Sequence, residues 1–443
     1  MSALRLAITA LAALWFGTTA AAAIDIKEVT TPLGIKAWLV EDKSTPVVAL
    51  SFSFAGGSAS EPDAQRGVTN LAAGLLTDGA GPANALAFKQ RMEEAAVSIG
   101  FGASLDRLNG SMRALSANLG DSIELLRLAM MQPRFDADQV DQHRAQTISG
   151  LNQAQQRPGS VAERALMSAM FPGYPYAADP SGSRETLQAL TPADLKKRAT
   201  ELLTRNGLVV AAVGDISEAE LARQLDRAFG GLPAGEPRPA LPDWTPPPRG
   251  RSLMIERPVP QSTVLLAMPG LMRDDRDWYA YFVMSHILGG GMQSRLFTEV
   301  REKRGLAYSV SSSPRTYRKA ALFRISTGSA TERTPEAIRV IRAELARLRT
   351  DGVTDQELAE AKTFLTGSLA LSLDSSGSIA GLLHGMQIDD LPRDQLDRRS
   401  ALIAAVKAED VLRVARRVLR EEQITTVVVG KPAGVKATTI IPD

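Results

Sequence analysis

The segment REKRGLAY, residues 301–308, places two residue types that bind a peptide carbonyl close together. Arg301 and Tyr308 are seven positions apart, with Gly305 between them. The preceding letters predict a short helix. The letters AYSVSSS that follow predict a strand, in which Tyr308, Val310 and Ser312 share one face. An arginine at a helix end and a tyrosine on the next strand can face one cavity. There they would hold a carbonyl and stabilise an oxyanion.

A capped helix end is the alternative interpretation of the same letters. Arg301, Lys303 and Arg304 would stand in the last turn, where cations complement the negative end of the helix dipole. Gly305 would then be the capping residue beyond that turn. Such helix ends are common, so the residues alone leave both interpretations open.

Other catalytic signals are weak or missing. The histidines, His143, His286 and His384, stand far apart, and no H-x-x-E-H, G-x-S-x-G or P-loop pattern occurs. Cysteine is absent, which excludes disulfides and thiolate chemistry. The letters LGGGM at 288–292 lack the strand–turn–helix context of a dinucleotide site. A metal site built from all the histidines stays open as an alternative, although core or surface histidines are the simpler interpretation.

The elements that position Arg301 and Tyr308 belong to the second of two halves. Seven prolines at residues 232–250 predict a stiff linker between a segment 24–231 and a segment 251–443. The halves resemble one another in order, with a first strand, a helix, a later helix and a final β-branched run before glycine. The matched segments are 47–57 with 262–270, 67–80 with 278–291, 135–154 with 353–372, and 207–217 with 423–433.

Further patterns complete each half. Alternating residues at 111–119 and 321–330 predict half-buried strands. Amphipathic spacing at 120–133 and 335–352 predicts helices, the second ending at Gly352. The fold class that follows is α+β, with an antiparallel or mixed sheet in each half and helices on one face.

The N-terminus and the composition indicate an exported protein. Residues 1–23 show a positive start, a short apolar run and small residues suited to cleavage, as in a secretory signal peptide. A short amphipathic helix of a cytosolic domain is the alternative. With 51 basic and 49 acidic residues, the chain shows no nucleic-acid footprint. We therefore expect a periplasmic or secreted protein with no membrane attachment after cleavage.

Residues 289–313, GGGMQSRLFTEVREKRGLAYSVSSS, resemble the second-half motif of the M16 zinc peptidases, the insulinase, pitrilysin and processing peptidase family. The resemblance extends from about residue 24 to 435. It implies two homologous metalloprotease-like α/β sandwich domains, of the type shared by LuxS and M16 proteins, that assemble as a clam shell around a peptide chamber. It also implies that Arg301 and Tyr308 are the family's substrate-binding pair.

The first half departs from the family. The loop AGGSASEPDAQRG (55–67) is present, but the helix after it reads VTNLAAGLL. Asn70 and Gly74 replace the two zinc-binding histidines, Ala73 replaces the general base, and Gly150 replaces the third zinc ligand. None of these residues is a good zinc ligand, so no metal is expected at the family's position in this chain.

The resemblance implies a division of work between two chains. The expected function is that of an exported, non-zinc subunit of a heterodimeric M16-type peptidase. Its partner, an H-x-x-E-H chain, would carry Zn²⁺, and a peptide would be the substrate. Two alternatives stay open: a non-catalytic peptide-binding or assembly module of the same fold, and a metalloenzyme with a relocated site.

Overall fold

The computed structural model describes residues 24–236 and 240–441. The predicted signal segment, residues 1–23, lies outside the described residues. Each half of the chain builds one six-stranded sheet. The first sheet contains β1 (Lys27–Thr30), β2 (Lys36–Glu41), β3 (Val47–Ala55), β4 (Ser98–Ala103), β5 (Arg107–Leu115) and β6 (Val209–Gly214). The second contains β7 (Ser252–Ile255), β8 (Gln261–Pro269), β9 (Ala307–Thr316), β10 (Ala321–Ala330), β11 (Thr425–Val429) and β12 (Thr439–Ile441).

Helices follow the strands in both halves. The first half contains α1 (Val68–Leu75), α2 (Ala85–Glu94), α3 (Leu119–Met131), α4 (Ala137–Gln156), α5 (Pro158–Met170), α6 (Arg184–Ala189), α7 (Pro192–Leu202) and α8 (Glu218–Phe229). The second contains α9 (Trp278–Gly289), α10 (Thr334–Asp351), α11 (Asp355–Gly367), α12 (Ser376–Ile388), α13 (Gln395–Ala404) and α14 (Ala408–Val418). Within the described ranges, none of these helices combines the length and hydrophobicity of a membrane span.

The two sheets repeat one strand order. They run β1-β2-β6-β3-β5-β4 and β12-β7-β11-β8-β10-β9. In each, a parallel pair (β2 with β6, β7 with β11) adjoins antiparallel neighbours. The predicted internal repeat therefore extends to the strand order, and the mixed sheets confirm the predicted α+β class. The outermost strands differ, since β1 is antiparallel to its neighbour whereas β12 is parallel.

One face of each sheet carries the helices of its own half. Val48, Leu50, Phe52 and Phe54 of β3 lie in the core of the first half. The corresponding core of the second half lies between β8 and β10 and the helices α9, α10, α11 and α14. Alternate residues of one strand thus contact these helices, while the residues between them point to the opposite face.

The opposite face of each sheet is covered by a helix from the other half. Leu166 of α5 lies in a cluster with Leu265 and Val427 of the second sheet. Leu383 of α12 lies in a cluster with Ala211 of the first sheet. Each sheet is therefore buried on both faces, and the two halves exchange one helix each. The sequence did not predict this exchange.

The described end of the proline-rich connection, from residue 240 onward, lies against the end of α5 and the loop that follows it. The Tyr174 hydroxyl donates to the Pro242 carbonyl (2.8 Å), and the Trp244 indole donates to the Met170 carbonyl (3.3 Å). The residues of the connection that the structure describes, from 240 onward, are thus held against the body of the protein.

Candidate functional site

The predicted helix before Arg301 forms as a widened turn. Residues Phe297–Glu302 are a π-helix, in which the Lys303 amide donates to the Thr298 carbonyl at 2.9 Å. Leu296 and Val300 are both fully buried, as their spacing predicted. Single π-turns are uncommon and often occur at functional positions because they change the direction of side chains.

A partly buried ion pair fastens this turn to the neighbouring helix. Arg295 donates to both carboxylate oxygens of Glu357 (2.6 and 2.8 Å) and to the Gly352 carbonyl (2.8 Å). Burial would raise the pKa of Glu357, but hydrogen bonds from Arg295 and Thr354 outweigh it and lower that pKa to about 2. Glu357 is therefore an anion over the physiological pH range, and the pair holds the π-helix against the start of α11.

Gly305 ends the turn in a left-handed conformation, with φ at +58°. Its amide donates to the Arg301 carbonyl at 3.0 Å, and the Leu306 amide donates to the Val300 carbonyl at 2.8 Å. A residue with a side chain rarely adopts this φ, so the glycine is required by the backbone. The prediction that Gly305 terminates the helix is confirmed.

Tyr308 is the extra residue of a β-bulge. Ala307 and Ser309 pair with the consecutive residues Ser329 and Gly328 of β10, which leaves Tyr308 without an opposite residue. The alternation of the sequence placed Tyr308 on the same face as the buried Val310. The bulge instead exposes 77% of its side chain. This difference has a physical cause, because a bulge breaks the two-residue period and redirects one side chain.

Arg301 and Tyr308 meet as the sequence predicted. The guanidinium carbon of Arg301 lies 5.5 Å from the centre of the Tyr308 ring and 4.8 Å from that of Phe297. Both distances are within the range of cation–π attraction. The side chain is thus held between two rings at an exposed surface, and its role in chemistry stays a prediction.

Two buried charged side chains, Glu61 and Arg198, fix the start of α1. Glu61 of the preceding loop is buried and accepts from the amides of Gly67 (2.9 Å) and Thr69 (2.7 Å) at the start of α1. The buried Arg198 of α7 donates to the Thr69 hydroxyl (2.9 Å) and to the Gly57 carbonyl (3.0 Å). The loop that positions α1 therefore keeps its framework.

The side chains of α1 and α4 do not form a metal site. Asn70 is half-buried and Ala73 buried on α1, while Gly150 of α4 is exposed with open space above it. A Cβ atom added at Gly74 would lie 2.9 Å from Nε2 of His143, a residue of α4. The His143 ring, whose Nδ1 lies 3.1 Å from an Asp78 oxygen, thus occupies the space beside Gly74.

Zinc does not fit these residues. Among Asn70, Ala73, Gly74 and Gly150 only the asparagine has a donor atom, and an amide is a poor zinc ligand. Across the described parts of the chain, no group of three or more His, Asp or Glu side chains is arranged to hold a metal ion. The histidines lie in separate environments: His143 beside Asp78, His286 stacked on Phe364, and His384 bonded to Ser53.

Two family models match the chain. Residues 36–181 match the model described as Insulinase (Peptidase family M16). Residues 189–365 match the model described as Peptidase M16 inactive domain. The chain belongs to the M16 peptidase family.

Several M16 relatives cover most of the chain. An uncharacterized zinc protease of Streptomyces coelicolor is 29% identical over 402 residues, which is 89% of this chain and 87% of that protein. A non-peptidase homolog of Helicobacter pylori is 26% identical over 342 residues, covering 76% and 78% of the two chains. The crystal structure of a peptidase M16 inactive domain from Pseudomonas fluorescens superposes with a TM-score of 0.86 at 28% identity. It covers 93% of this chain and 100% of that one.

The M16 fold is thus shown, and the positions Asn70, Ala73, Gly74 and Gly150 form no metal-holding group in the described part of the chain. Local sequence patterns did not indicate that His143 lies beside Gly74, or that Arg295 and Glu357 hold the π-helix in place. The capping pattern of Thr354 and Glu357 was visible in the sequence, but its partner Arg295 lies 62 residues away. No local signal connects them.

Proposed function

We propose that this chain is the exported, non-zinc subunit of a heterodimeric M16-type zinc metallopeptidase. Its contribution is Arg301 and Tyr308, which bind the substrate and stabilise charge as the peptide is cleaved. Its partner is an M16 chain that carries H-x-x-E-H and binds the metal.

The observation that carries this proposal is the contrast between the two motifs. Arg301 and Tyr308 are brought together by a π-helix, a left-handed glycine and a bulge, three features that act on the same short segment. The four zinc-motif positions hold no metal-binding set. Loss of function alone would not explain why the Arg–Tyr motif is present while the zinc-motif positions lack metal-binding side chains.

The proposed chemistry assigns one task to each side chain. The Arg301 guanidinium donates to a substrate carbonyl and orients the peptide. The exposed Tyr308 hydroxyl donates a hydrogen bond to the oxygen that becomes negative when that carbonyl is attacked. The partner's metal, when bound, supplies the activated water. None of these tasks requires a metal in this chain.

Export is the second part of the proposal. It rests on residues 1–23, whose charge, apolar run and small residues match a secretory signal. N-terminal sequencing of the protein from a periplasmic fraction should give a mature chain that begins near Ile24. Recovery of the full-length chain from the cytosol would contradict export.

The experiment that tests the enzymatic role uses three samples: this chain, an M16 chain with H-x-x-E-H from the same genome, and their mixture. We expect peptide cleavage only in the mixture, together with co-elution of the two chains. A mixture no faster than the partner alone, or a genome without such a partner, would overturn the proposal.

A second candidate is a non-catalytic peptide-binding or assembly module. It is favoured by the relative from Helicobacter pylori that is named a non-peptidase homolog. The mixing experiment separates the two, because this module would bind a partner or a peptide without raising the rate of cleavage.

A further inference from the structure

The dipeptide Asn–Gly occurs twice in the sequence, and the fold places the two copies in contrasting environments. Asn206–Gly207 lies in the exposed turn between α7 and β6. Asn109–Gly110 lies inside β5, a strand that pairs with β3 on one side and with β4 on the other. The pair is chemically labile, because glycine has no side chain to shield its backbone nitrogen from the preceding side-chain amide. The environment therefore decides which copy reacts.

The turn leaves the Gly207 nitrogen accessible. The Leu208 amide donates to the Arg205 carbonyl at 3.2 Å, so Asn206 and Gly207 are the central residues of a β-turn. Gly207 has φ at +76°, as the second central residue of a type II turn requires. Both residues are exposed, and the Gly207 amide donates no hydrogen bond in the described part of the chain. The Asn206 side chain and this nitrogen can therefore meet without local unfolding.

Packing fixes the glycine of this pair. A Cβ atom added at Gly207 would lie 2.6 Å from the Cβ atom of Ala55, which is closer than two such atoms approach. The positive φ also disfavours a residue with a side chain. The fold thus requires the glycine that makes the preceding asparagine labile.

The Gly207 carbonyl belongs to a chain of contacts that joins the two halves. Nη2 of Arg107 donates to this carbonyl at 2.6 Å, and Nε of Arg107 donates to the Ser53 hydroxyl at 2.6 Å. The Ser53 hydroxyl lies 2.7 Å from Nε2 of His384, on the helix α12 that comes from the second half. Arg107 is only 7% exposed. A displaced Gly207 carbonyl would therefore disturb the contacts that hold α12 against the first sheet.

We propose that Asn206 is a site of spontaneous deamidation, and that its isoaspartate product weakens the hold on α12. The Gly207 nitrogen loses its proton and attacks Cγ of Asn206. The new N–Cγ bond closes a succinimide ring, and the bond from Cγ to the side-chain nitrogen breaks. The leaving nitrogen takes up a proton and departs as ammonia.

Water then opens the ring at either of its carbonyl groups. Cleavage of the new N–Cγ bond gives an aspartate in the original main chain. Cleavage on the other side of the nitrogen gives isoaspartate, whose main chain runs through Cβ and Cγ and gains an additional carbon. Both products carry a carboxylate in place of the neutral amide. Only the isoaspartate changes the main chain, so it is the form that displaces the Gly207 carbonyl from Arg107.

The test incubates the purified full chain at mildly alkaline pH and follows its peptides by mass spectrometry. We expect conversion at Asn206 to be about tenfold faster than at Asn109, because the strand that holds Asn109 must open before its amide can react. In a denaturant that unfolds the chain, the two sites should react at similar rates. Equal rates in the folded chain, or a difference that persists unchanged in denaturant, would overturn the proposal.

Asn206→Gln tests the position, because a glutamine has to close a larger ring and reacts slowly. The variant should lose the conversion in this peptide and keep that at Asn109 unchanged. Circular dichroism verifies that it folds. Conversion of this peptide at the wild-type rate would contradict the mechanism.

Amide hydrogen exchange tests the link to Arg107. Ion-exchange chromatography separates the isoaspartate form of the aged protein from the unmodified chain. Asn206→Asp is the matched control, since it adds the charge and keeps the main chain. We expect the amides of α12 to exchange several-fold faster in the isoaspartate form and at the wild-type rate in Asn206→Asp. Unchanged exchange in the isoaspartate form would overturn the effect on α12. Neither measurement involves a partner or a substrate, so the result is independent of the proposed peptidase role.

Discussion

Ser53 and His384, which are 331 positions apart in the sequence, share a buried hydrogen bond of 2.7 Å between the hydroxyl and Nε2. Ser53 belongs to β3 of the first sheet and His384 to α12, the helix that comes from the second half. The Arg107 Nε also donates to the Ser53 hydroxyl oxygen at 2.6 Å. The hydroxyl proton is then free to be donated to His384, which must be neutral to accept it.

The stability of the protein should fall in mild acid because of this contact. Burial, aided by the charge of Arg107, lowers the pKa of His384 from 6.5 to about 4. A depressed histidine pKa means that the neutral form is stabilised by folding. The contribution is therefore complete above pH 6.5 and is lost as the pH falls toward 4. The difference corresponds to about 3 kcal/mol.

His384→Asn tests this expectation by denaturant unfolding at several pH values. The difference in unfolding free energy between wild type and variant should shrink between pH 7 and pH 4. His143→Asn, at a histidine with 31% of its side chain exposed, controls for the removal of an imidazole elsewhere. An unchanged difference across this range would contradict the assignment.

The exchange of α5 and α12 should make the two halves unfold together. Leu383 is fully buried against the first sheet, although its helix belongs to the second half. Leu383→Ala should cost about 2–5 kcal/mol through lost burial and a cavity. Amide hydrogen exchange should then accelerate in β6 as well as in the second half. Leu371→Ala, at a leucine that is 79% exposed, is the matched control and should cost about 0.5 kcal/mol or less.

Two separate unfolding transitions, one for each sheet, would count against this coupling. The same would hold if Leu383→Ala left the exchange rates of β6 unchanged.

If the proposed two-chain peptidase uses Tyr308, Tyr308→Phe should reduce its turnover by about 10²–10³, the usual effect of losing one oxyanion donor. The phenylalanine ring keeps the contact with Arg301, so association with the partner and KM should change little. Steady-state kinetics of the mixed chains measure both quantities. Ser309→Ala, at the next exposed position of β9, is the control. Near-wild-type kcat in Tyr308→Phe would exclude the tyrosine from the reaction.

His143 and Gly74 should be coupled in stability. Gly74→Ala alone should have little net effect. Its gain in helix propensity, about 1 kcal/mol, is opposed by displacement of the His143 ring and loss of its contact with Asp78. In a His143→Ala background the same change should stabilise by about 1 kcal/mol. A double-mutant cycle by denaturant unfolding gives the coupling, and additive effects would show that the ring does not occupy this space.

Much of the candidate site was predictable from local patterns. The helix before Arg301, the left-handed role of Gly305 and the strand at Ala307 follow from spacing and residue type, because these features depend on neighbours in the chain. The poor fit of zinc to Asn70, Ala73, Gly74 and Gly150 can likewise be judged from residue type, since it depends on which donor atoms the side chains have.

Other features depend on residues that are distant in sequence. The neighbourhood of His143 and Gly74 arises where α4 crosses α1, and the anchor between Arg295 and Glu357 joins two elements 62 residues apart. Nothing in the local pattern of α5 or α12 indicates which sheet each helix covers, because the apolar stripe of a helix can pack against the apolar face of either sheet.

The amino-acid sequence thus determined the two-part α+β plan and the family, and it predicted Arg301 and Tyr308 as a substrate-binding pair. The tertiary structure alone decided how the pair is presented. A two-residue period along β9 would turn Tyr308 toward the core with Val310. Pairing with β10 skips one residue at that point and turns the ring outward to Arg301. The register between two strands is set by contacts across the sheet, and no pattern within one strand contains it.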